Sequence, residues 1–241
     1  MSKNNLSIFD LCVQITSSFE GRGYGTVSSI NDGQGLSVGI IQFNLGQASL
    51  QSYILNHINY LSYDYFPQSI RPLQMLSNKD SVIWAKDNFY DINGELKPEW
   101  KTAWERFMTE PVIINLQKHA IDKYFHQAKR ICGKLGFPHT HRRAMAWCFD
   151  LAVQNWSLDI DLPPDHYDQC YNIITSYDQE NLMLWIGEHL EPYQRQLVIL
   201  SHLRAMKCKP EWRSNVFVRK ATIAIGTGYV NKTLYKLNKL F

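Results

Sequence analysis

Residues 15–43 read Ile15-Thr16-Ser17-Ser18-Phe19-Glu20-Gly21-Arg22-Gly23-Tyr24-Gly25-Thr26-Val27-Ser28-Ser29-Ile30-Asn31-Asp32-Gly33-Gln34-Gly35-Leu36-Ser37-Val38-Gly39-Ile40-Ile41-Gln42-Phe43. The period of this stretch changes in mid-course. Upstream and into it, Ile8, Leu11, Cys12, Ile15 and Phe19 recur at three- and four-residue steps, the spacing of one apolar helical face. A helix over 6–19 is therefore expected to deliver Glu20 at its C-terminal end. Gly21, Gly23 and Gly25 then break the pattern. The β-prone run Thr26 to Ile30, the turn dipeptides Asn31-Asp32 and Asp32-Gly33, and a second β-leaning run from Leu36 to Phe43 come next. Residues 24–43 thus read as a small, irregular β-hairpin region.

Working outward, Leu50, Tyr53, Ile54, Ile58 and Leu61 place a helix over 45–61. Pro67, Pro72 and Asn93-Gly94 interrupt 62–97, which leaves room for one short helix near Val82–Phe89. The connection between two lobes is expected within 62–110. Thr109-Glu110-Pro111 opens a long helix that runs to Gly136-Phe137-Pro138. Further helices are expected at about 141–155, 165–175 and 179–206, with Pro192 a kink or break in the last. The end, 214–240, reads as one or two short helices around Gly226-Thr227-Gly228. No internal repeat or low-complexity linker divides the chain. The expectation is a single mainly α (α+β) domain over 1–241, two-lobed, with a small β-hairpin element after the first helix.

With 45% hydrophobic and 20% charged residues in 241, the chain has the balance of a globular protein with a sizeable core. The net charge of +3 is unevenly spread. Arg204, Lys207, Lys209, Arg213, Arg219, Lys220, Lys232, Lys236 and Lys239 stand against Glu211 alone near the C-terminus. Two readings stay open: a solvated face, or attraction to a polyanion. Few aromatic residues are interleaved with those charges, which argues against single-stranded nucleic acid as the partner. The five cysteines (Cys12, Cys132, Cys148, Cys170, Cys208) show no paired spacing and read as reduced packing residues. His139-Thr140-His141 lacks a third ligand at a recognised spacing and reads as a helix start or loop. No phosphate-binding glycine loop is present, so neither cofactor nor metal is expected. The first residues form neither a signal-peptide core nor a membrane span. Action outside the cytoplasm would then need another route of delivery.

Glu20 and Asp32 together fit a known chemical need. Breaking a glycosidic bond takes a proton donor on one face of the sugar and a second group on the other, and two carboxyls in different environments supply these roles. Glu20 follows Phe19 on an apolar helix face, where partial burial favours the protonated acid. Asp32 sits in a polar, glycine-rich turn that favours the carboxylate. Tyr24, Trp147, Trp156, Tyr229 and Gln154 could stack on or hydrogen-bond sugars, or simply pack.

The order Ser17-Ser18-Phe19-Glu20-Gly21 and then Asp32-Gly33-Gln34-Gly35-Leu36-Ser37-Val38-Gly39-Ile40-Ile41-Gln42-Phe43 resembles the signature of the inverting bacterial chitosanases, of the lysozyme superfamily. In that family a glutamate ends the first helix, and an Asp-Gly-Arg-Gly-aromatic-Thr turn leads into a Gly-Ile-Ile-Gly-Phe-like strand. The resemblance implies Glu20 as general acid, Asp32 as general base and Ser37 as the holder of the attacking water. Two departures matter. Gln34 stands in place of Arg, and Gln47 stands near the position of an Asp that binds the amino group of glucosamine, which argues against a polycationic substrate.

Ser37-Val38-Gly39-Ile40-Ile41-Gln42 is also similar to the Ser-x-Gly-Leu-Met-Gln run of goose-type lysozymes and lytic transglycosylases, which implies Gln42 at the sugar subsites. Trp147 to Asn155 and Arg219 to Gly228 resemble segments of lysozyme-like domains of bacterial toxins and phage, and imply Gln154 and Asn155 at the substrate. Together these point to a wall-degrading glycosidase whose first candidate substrate is peptidoglycan, with a delivery or immunity protein as a further partner. A lytic transglycosylase, a chitosanase or chitinase activity, and a non-catalytic glycan-binding module remain the alternatives.

Overall fold

Ser7 starts the first helix: its Oγ accepts from the backbone N–H of Asp10 at 3.1 Å and donates to the Asp10 carboxylate at 2.6 Å. That reciprocal cap satisfies an amide that would otherwise be orphaned at the helix start. The helix, α1, spans Ile8–Glu20, with Leu11, Cys12, Ile15 and Phe19 buried as the periodicity required. The computed structural model describes residues 6–21, 23–28, 33–58, 65–158 and 190–241. The expected 165–175 helix and the first part of the expected 179–206 helix lie outside them.

The chain divides into two compact units, Met1–Thr16 with Tyr124–Phe241, and Ser17–Lys123.

In the Ser17–Lys123 unit, three two-residue strands, β1 (Val27–Ser28), β2 (Ser37–Val38) and β3 (Phe43–Asn44), form an antiparallel sheet in the order β1-β2-β3. The expected hairpin therefore gains a third strand. The helix expected over 45–61 is cut down to α2 (Ser49–Tyr53) and a 3-10 turn at Leu55–His57. Ala48 at φ 58° and the irregular Ile54 punctuate it. Helix α3 (Asn78–Phe89) repeats the cap of α1, Ser77 Oγ accepting from Asp80 N at 3.2 Å. Helix α4 (Pro98–Met108) starts on proline, and so does α5 (Pro111–Lys134), where a missing N–H costs nothing. Phe66, Phe89, Trp100, Trp104 and Phe107 form the aromatic core here, with Phe89 and Trp100 ring centroids 4.2 Å apart.

In the other unit, α6 (Arg142–Asn155) is capped by His141, whose Nδ1 accepts from Ala144 N at 3.1 Å. His139 Nε2 meets the Lys129 carbonyl. The His-Thr-His run is thus a helix start. Pro192 opens a helix, α7 (Pro192–Met206), after the non-helical Leu190 and Glu191, the break among the two outcomes expected there. Helix α8 (Pro210–Ile225) ends at Gly226, left-handed at φ 93°, and Arg143 of α6 donates to its last carbonyls, Ile223 and Ala224.

Beyond Gly226 the chain departs from the sequence expectation. Instead of short helices, 227–236 is a second hairpin, β4 (Thr227–Val230) paired with β5 (Thr233–Lys236). Cys12, Cys132, Cys148 and Cys208 are free thiols, and burial pushes Cys12 far up. Cys170 lies outside the described residues. No described helix is long and apolar enough to cross a membrane.

Candidate active site

Glu20 is the last residue of α1 and is half-buried beside the buried Phe19. The chain leaves the helix through Gly21 at φ 113°, where a Cβ would come within 2.7 Å of Thr26 Cγ2. Thr26 Oγ1 donates to the Gly21 carbonyl at 3.3 Å. The end of the helix is thereby tied to the residue that enters β1.

The sheet sorts its side chains into two rows because neighbours along a strand point to opposite faces. Val27, Val38 and Phe43 make the apolar row, and Ser28, Ser37 and Asn44 the polar one. Ser37 occupies the middle strand between Ser28 and Asn44 and is 4% exposed. A chain of contacts thus runs from the residue after Glu20, through Thr26, to the strand beside Ser37. Asp32 lies outside the described residues. The 33–36 turn is held to the two residues that follow β3, Leu45 N donating to Leu36 O and Gly46 N to Gln34 O.

Residues implied at the substrate divide into two groups. Tyr24, Gln42 and Gln47 belong to the same unit as Glu20 and Ser37, while Gln154 and Asn155 belong to the other. Tyr24 is half-buried. Gln42 turns inward: it is 8% exposed at φ 56°, and both its backbone N and its Nε2 donate to the Gly39 carbonyl, at 3.2 and 3.0 Å. Gln47 is exposed, and its amide is engaged by Asn44, whose Nδ2 donates to Gln47 Oε1 and whose Oδ1 accepts from Gln47 N at 2.8 Å. Asn155 Oδ1 accepts from Arg204 Nε at 3.0 Å, and Gln154 Oε1 is buried. Among the aromatic candidates, Trp147 is core, its indole N–H donating to Ser201 Oγ at 3.0 Å. Trp156 and Tyr229 are exposed.

Two features of these elements escape sequence reasoning. Gln117, fully buried on α5, accepts from Ile40 N at 3.1 Å and donates to the carbonyls of Met108 and Tyr24, at 2.8 and 3.3 Å. It fastens the turn after β2 to the helix. A signal for it exists, a lone polar residue within the apolar stripe Ile113, Ala120, Ile121, Tyr124. The second is Asp150 on α6, at zero exposure. Arg219 Nη2 reaches its Oδ1 at 2.6 Å and Lys220 Nζ its Oδ2 at 2.5 Å. The segments Trp147 to Asn155 and Arg219 to Gly228 meet in this triad. Arg219 and Lys220 are consequently internal charges, and neither belongs to a solvated basic face. Among the described residues, no group of three His, Cys, Asp or Glu side chains could hold a metal ion.

No sequence profile of a protein family matches the chain, and no curated protein matches it. Solved structures do. A GH46 chitosanase from Gynuella sunshinyii, in complex with chitotetraose, superposes with a TM-score of 0.56 at 14% identity, covering 96% of this chain and 98% of that one. The native chitosanase of Bacillus subtilis MY002 gives 0.57 at 14% identity, covering 96% and 99%. A form of that enzyme with one glutamate replaced by alanine, complexed with six GlcN, gives 0.57 at 13%, with the same coverage. The chain therefore has a lysozyme-like, mainly α fold. Its particular version is the one found in GH46 chitosanases, across nearly the whole length of both chains.

Proposed function

We propose that the chain is a glycoside hydrolase that cleaves β-1,4-linked amino-sugar polymer, peptidoglycan first, with Glu20 as general acid and Asp32 as general base. The observation that carries this reading is the placement of Glu20. It is a half-buried residue at the end of α1, joined through Gly21 and Thr26 to the sheet whose central strand carries Ser37. The fold shared with chitosanases adds support, as does the sugar bound to one of them after loss of a glutamate. In the proposed step, Asp32 accepts a proton from water held by Ser37. The water oxygen attacks the anomeric carbon, and Glu20 gives its proton to the departing glycosidic oxygen, so the anomeric configuration inverts.

The choice of peptidoglycan over chitosan rests on the Asn44–Gln47 pair. An unacetylated amino sugar brings an ammonium, which calls for a carboxylate. At this corner of the sheet stand two neutral amides, joined by one side-chain bond in which Asn44 Nδ2 donates to Gln47 Oε1. An acetamido group suits them better, since it offers one donor and one acceptor to match.

Glu20→Gln keeps the size of the side chain and removes its transferable proton. It is expected to lower turnover of purified bacterial wall by about 10²–10⁴-fold with an unchanged thermal melt. Wild-type lysis by that variant would remove Glu20 from the mechanism. Soluble chitosan run in parallel separates the substrates, because faster cleavage of chitosan than of wall would establish the chitosanase alternative.

A further inference from the structure

Beside the turn that comes after Asp32 in the sequence, the Ser17–Lys123 unit holds a groove of about 360 Å³ that bond cleavage does not require. Gly33 and Gly35 line one side. Lys86, Tyr90, Asp91 and Ile92 line the other.

The groove is built rather than incidental. The Tyr90 hydroxyl donates to the Gly35 carbonyl and ties its two sides together. Gly35, at φ 81°, lets the turn approach α3 so closely that a Cβ would stand 3.2 Å from Val82 Cα. The turn at 91–95 is fixed by its own aspartate: Asp91 Oδ1 accepts from the backbone N–H groups of Asn93 and Glu95, both at 2.9 Å. These bonds, that of Glu95 first, hold the Asp91 carboxyl below its usual range, so the charge is permanent at neutral pH.

Two features stand out at this groove. Ile92, an isoleucine at the tip of that turn, is 101% exposed. Lys86 is exposed, and no carboxylate among the described residues pairs with its ammonium. The groove thus presents a cation with no carboxylate partner among the described residues, a fixed anion and an apolar side chain turned into water.

A bare polymer of amino sugars does not match this set, because neither its acetylated nor its free-amine form brings a carboxylate to Lys86. A short peptide with carboxylates, an ammonium and methyl side chains does. We infer that the groove binds the peptide stem carried by the muramic acid of peptidoglycan, with Lys86 on a stem carboxylate, Asp91 on the stem ammonium and Ile92 over alanine methyls. The inference deepens the function proposed above and rests on its choice of substrate.

The test uses the full chain and two readouts. One is titration with a free stem tetrapeptide of L-Ala, D-Glu, a diamino acid and D-Ala, followed by amide NMR shifts. The other is the ratio of kcat/KM on peptide-bearing glycan to that on glycan stripped of its stems by an amidase. The peptide is expected to shift the amides of 86 and 90–94. Lys86→Glu replaces attraction by repulsion at an exposed site and is expected to weaken the peptide about five- to tenfold, with a matching fall in the ratio. Lys86→Gln should lose less. Asp91→Asn keeps the acceptor that holds the turn while removing the charge, and should weaken only peptides that carry the ammonium.

No shift at millimolar peptide, shifts elsewhere, or equal binding by the variants would overturn the inference. A chain that binds the peptide through Lys86 yet cleaves no glycan would uphold it while removing the hydrolase reading. Equal cleavage of stripped and peptide-bearing strands by an active wild type would do the reverse.

Discussion

At position 150 a carboxylate sits at zero exposure between a guanidinium and an ammonium. Burial alone would raise its pKa, but Arg219 and then Lys220 outweigh burial and hold it at about 2. The two sides of the contact pull differently, for burial lowers Lys220 to about 8 despite the pull of Asp150, and Arg219 adds repulsion. The 2.5 Å contact between Nζ and Oδ2 supports the charged pair at neutral pH. Since the folded-state pKa of Asp150 lies below its unfolded value, its contribution is present above about pH 4 and is lost as pH falls towards 2. A shift of that size corresponds to about 2 kcal/mol. Asp150→Ala strands two buried cations and is expected to cost about 3–5 kcal/mol in urea unfolding. Lys220→Met leaves Arg219 on Asp150 and should cost far less; equal losses would mean that the triad does not act through charge. Nothing in the sequence marks Arg219 and Lys220 apart from the exposed lysines around them. Their partner lies some seventy residues away, and a charge carries no sign of burial until the fold brings that partner in.

Among the elements, the long amphipathic helices were legible because three or more turns of apolar spacing outvote any single residue. Helices α1, α5 and α6 lie where the pattern puts them, and His141 caps where a helix start is expected. The β4–β5 hairpin was not legible, and its turn explains why. Asn231 and Lys232 both take positive φ, 48° and 65°, as a two-residue hairpin turn demands, yet the second is a lysine where glycine is the usual signal. Gly226-Thr227-Gly228 then looks like an interruption between helices, although it is a helix stop followed by a strand. Gln117 shows the opposite difficulty, a visible signal whose meaning depends on contacts far away in the chain. Its side chain satisfies one amide and two carbonyls that join the Ile40 turn, α4 and the Tyr24 loop to α5. Gln117→Leu keeps the apolar bulk but orphans these groups. At about 1–3 kcal/mol for each unsatisfied buried group, with partial relaxation, a loss of about 2–5 kcal/mol in chemical denaturation is expected. Activity measured well below the melting point should fall too, because the same bonds set the position of the turn beyond Ser37. Unchanged stability would mean that the helix does not hold that turn in place.

At the scale of the whole molecule, the proposed function leaves more than one way to break a glycosidic bond, and the role proposed for Asp32 decides between them. A lytic transglycosylase needs only the acid, since the substrate's own groups complete the reaction and leave an anhydro end. An inverting hydrolase places a second carboxylate about 6.5–9.5 Å from the acid, so that a water fits between base and sugar. In this chain the sheet that carries the proposed holder of that water is polar on one face. Ser37 is buried in the middle of the polar row, with Ser28 and Asn44 beside it, while the 33–36 turn is held by two backbone bonds from Leu45 and Gly46, just after β3. Asp32→Asn is accordingly expected to cut turnover by about 10²–10⁴-fold, nearly as far as Glu20→Gln, because it removes the acceptor of the water's proton. Ser37→Ala removes one hydrogen bond to that water, worth about 1 kcal/mol, so a loss of about fivefold is expected. The first products of wall digestion should carry free reducing ends of inverted configuration, read by NMR in the first minutes before mutarotation. Anhydro ends in the mass spectrum, together with an active Asp32→Asn variant, would leave Glu20 as the acid and transfer the role of the base to the substrate.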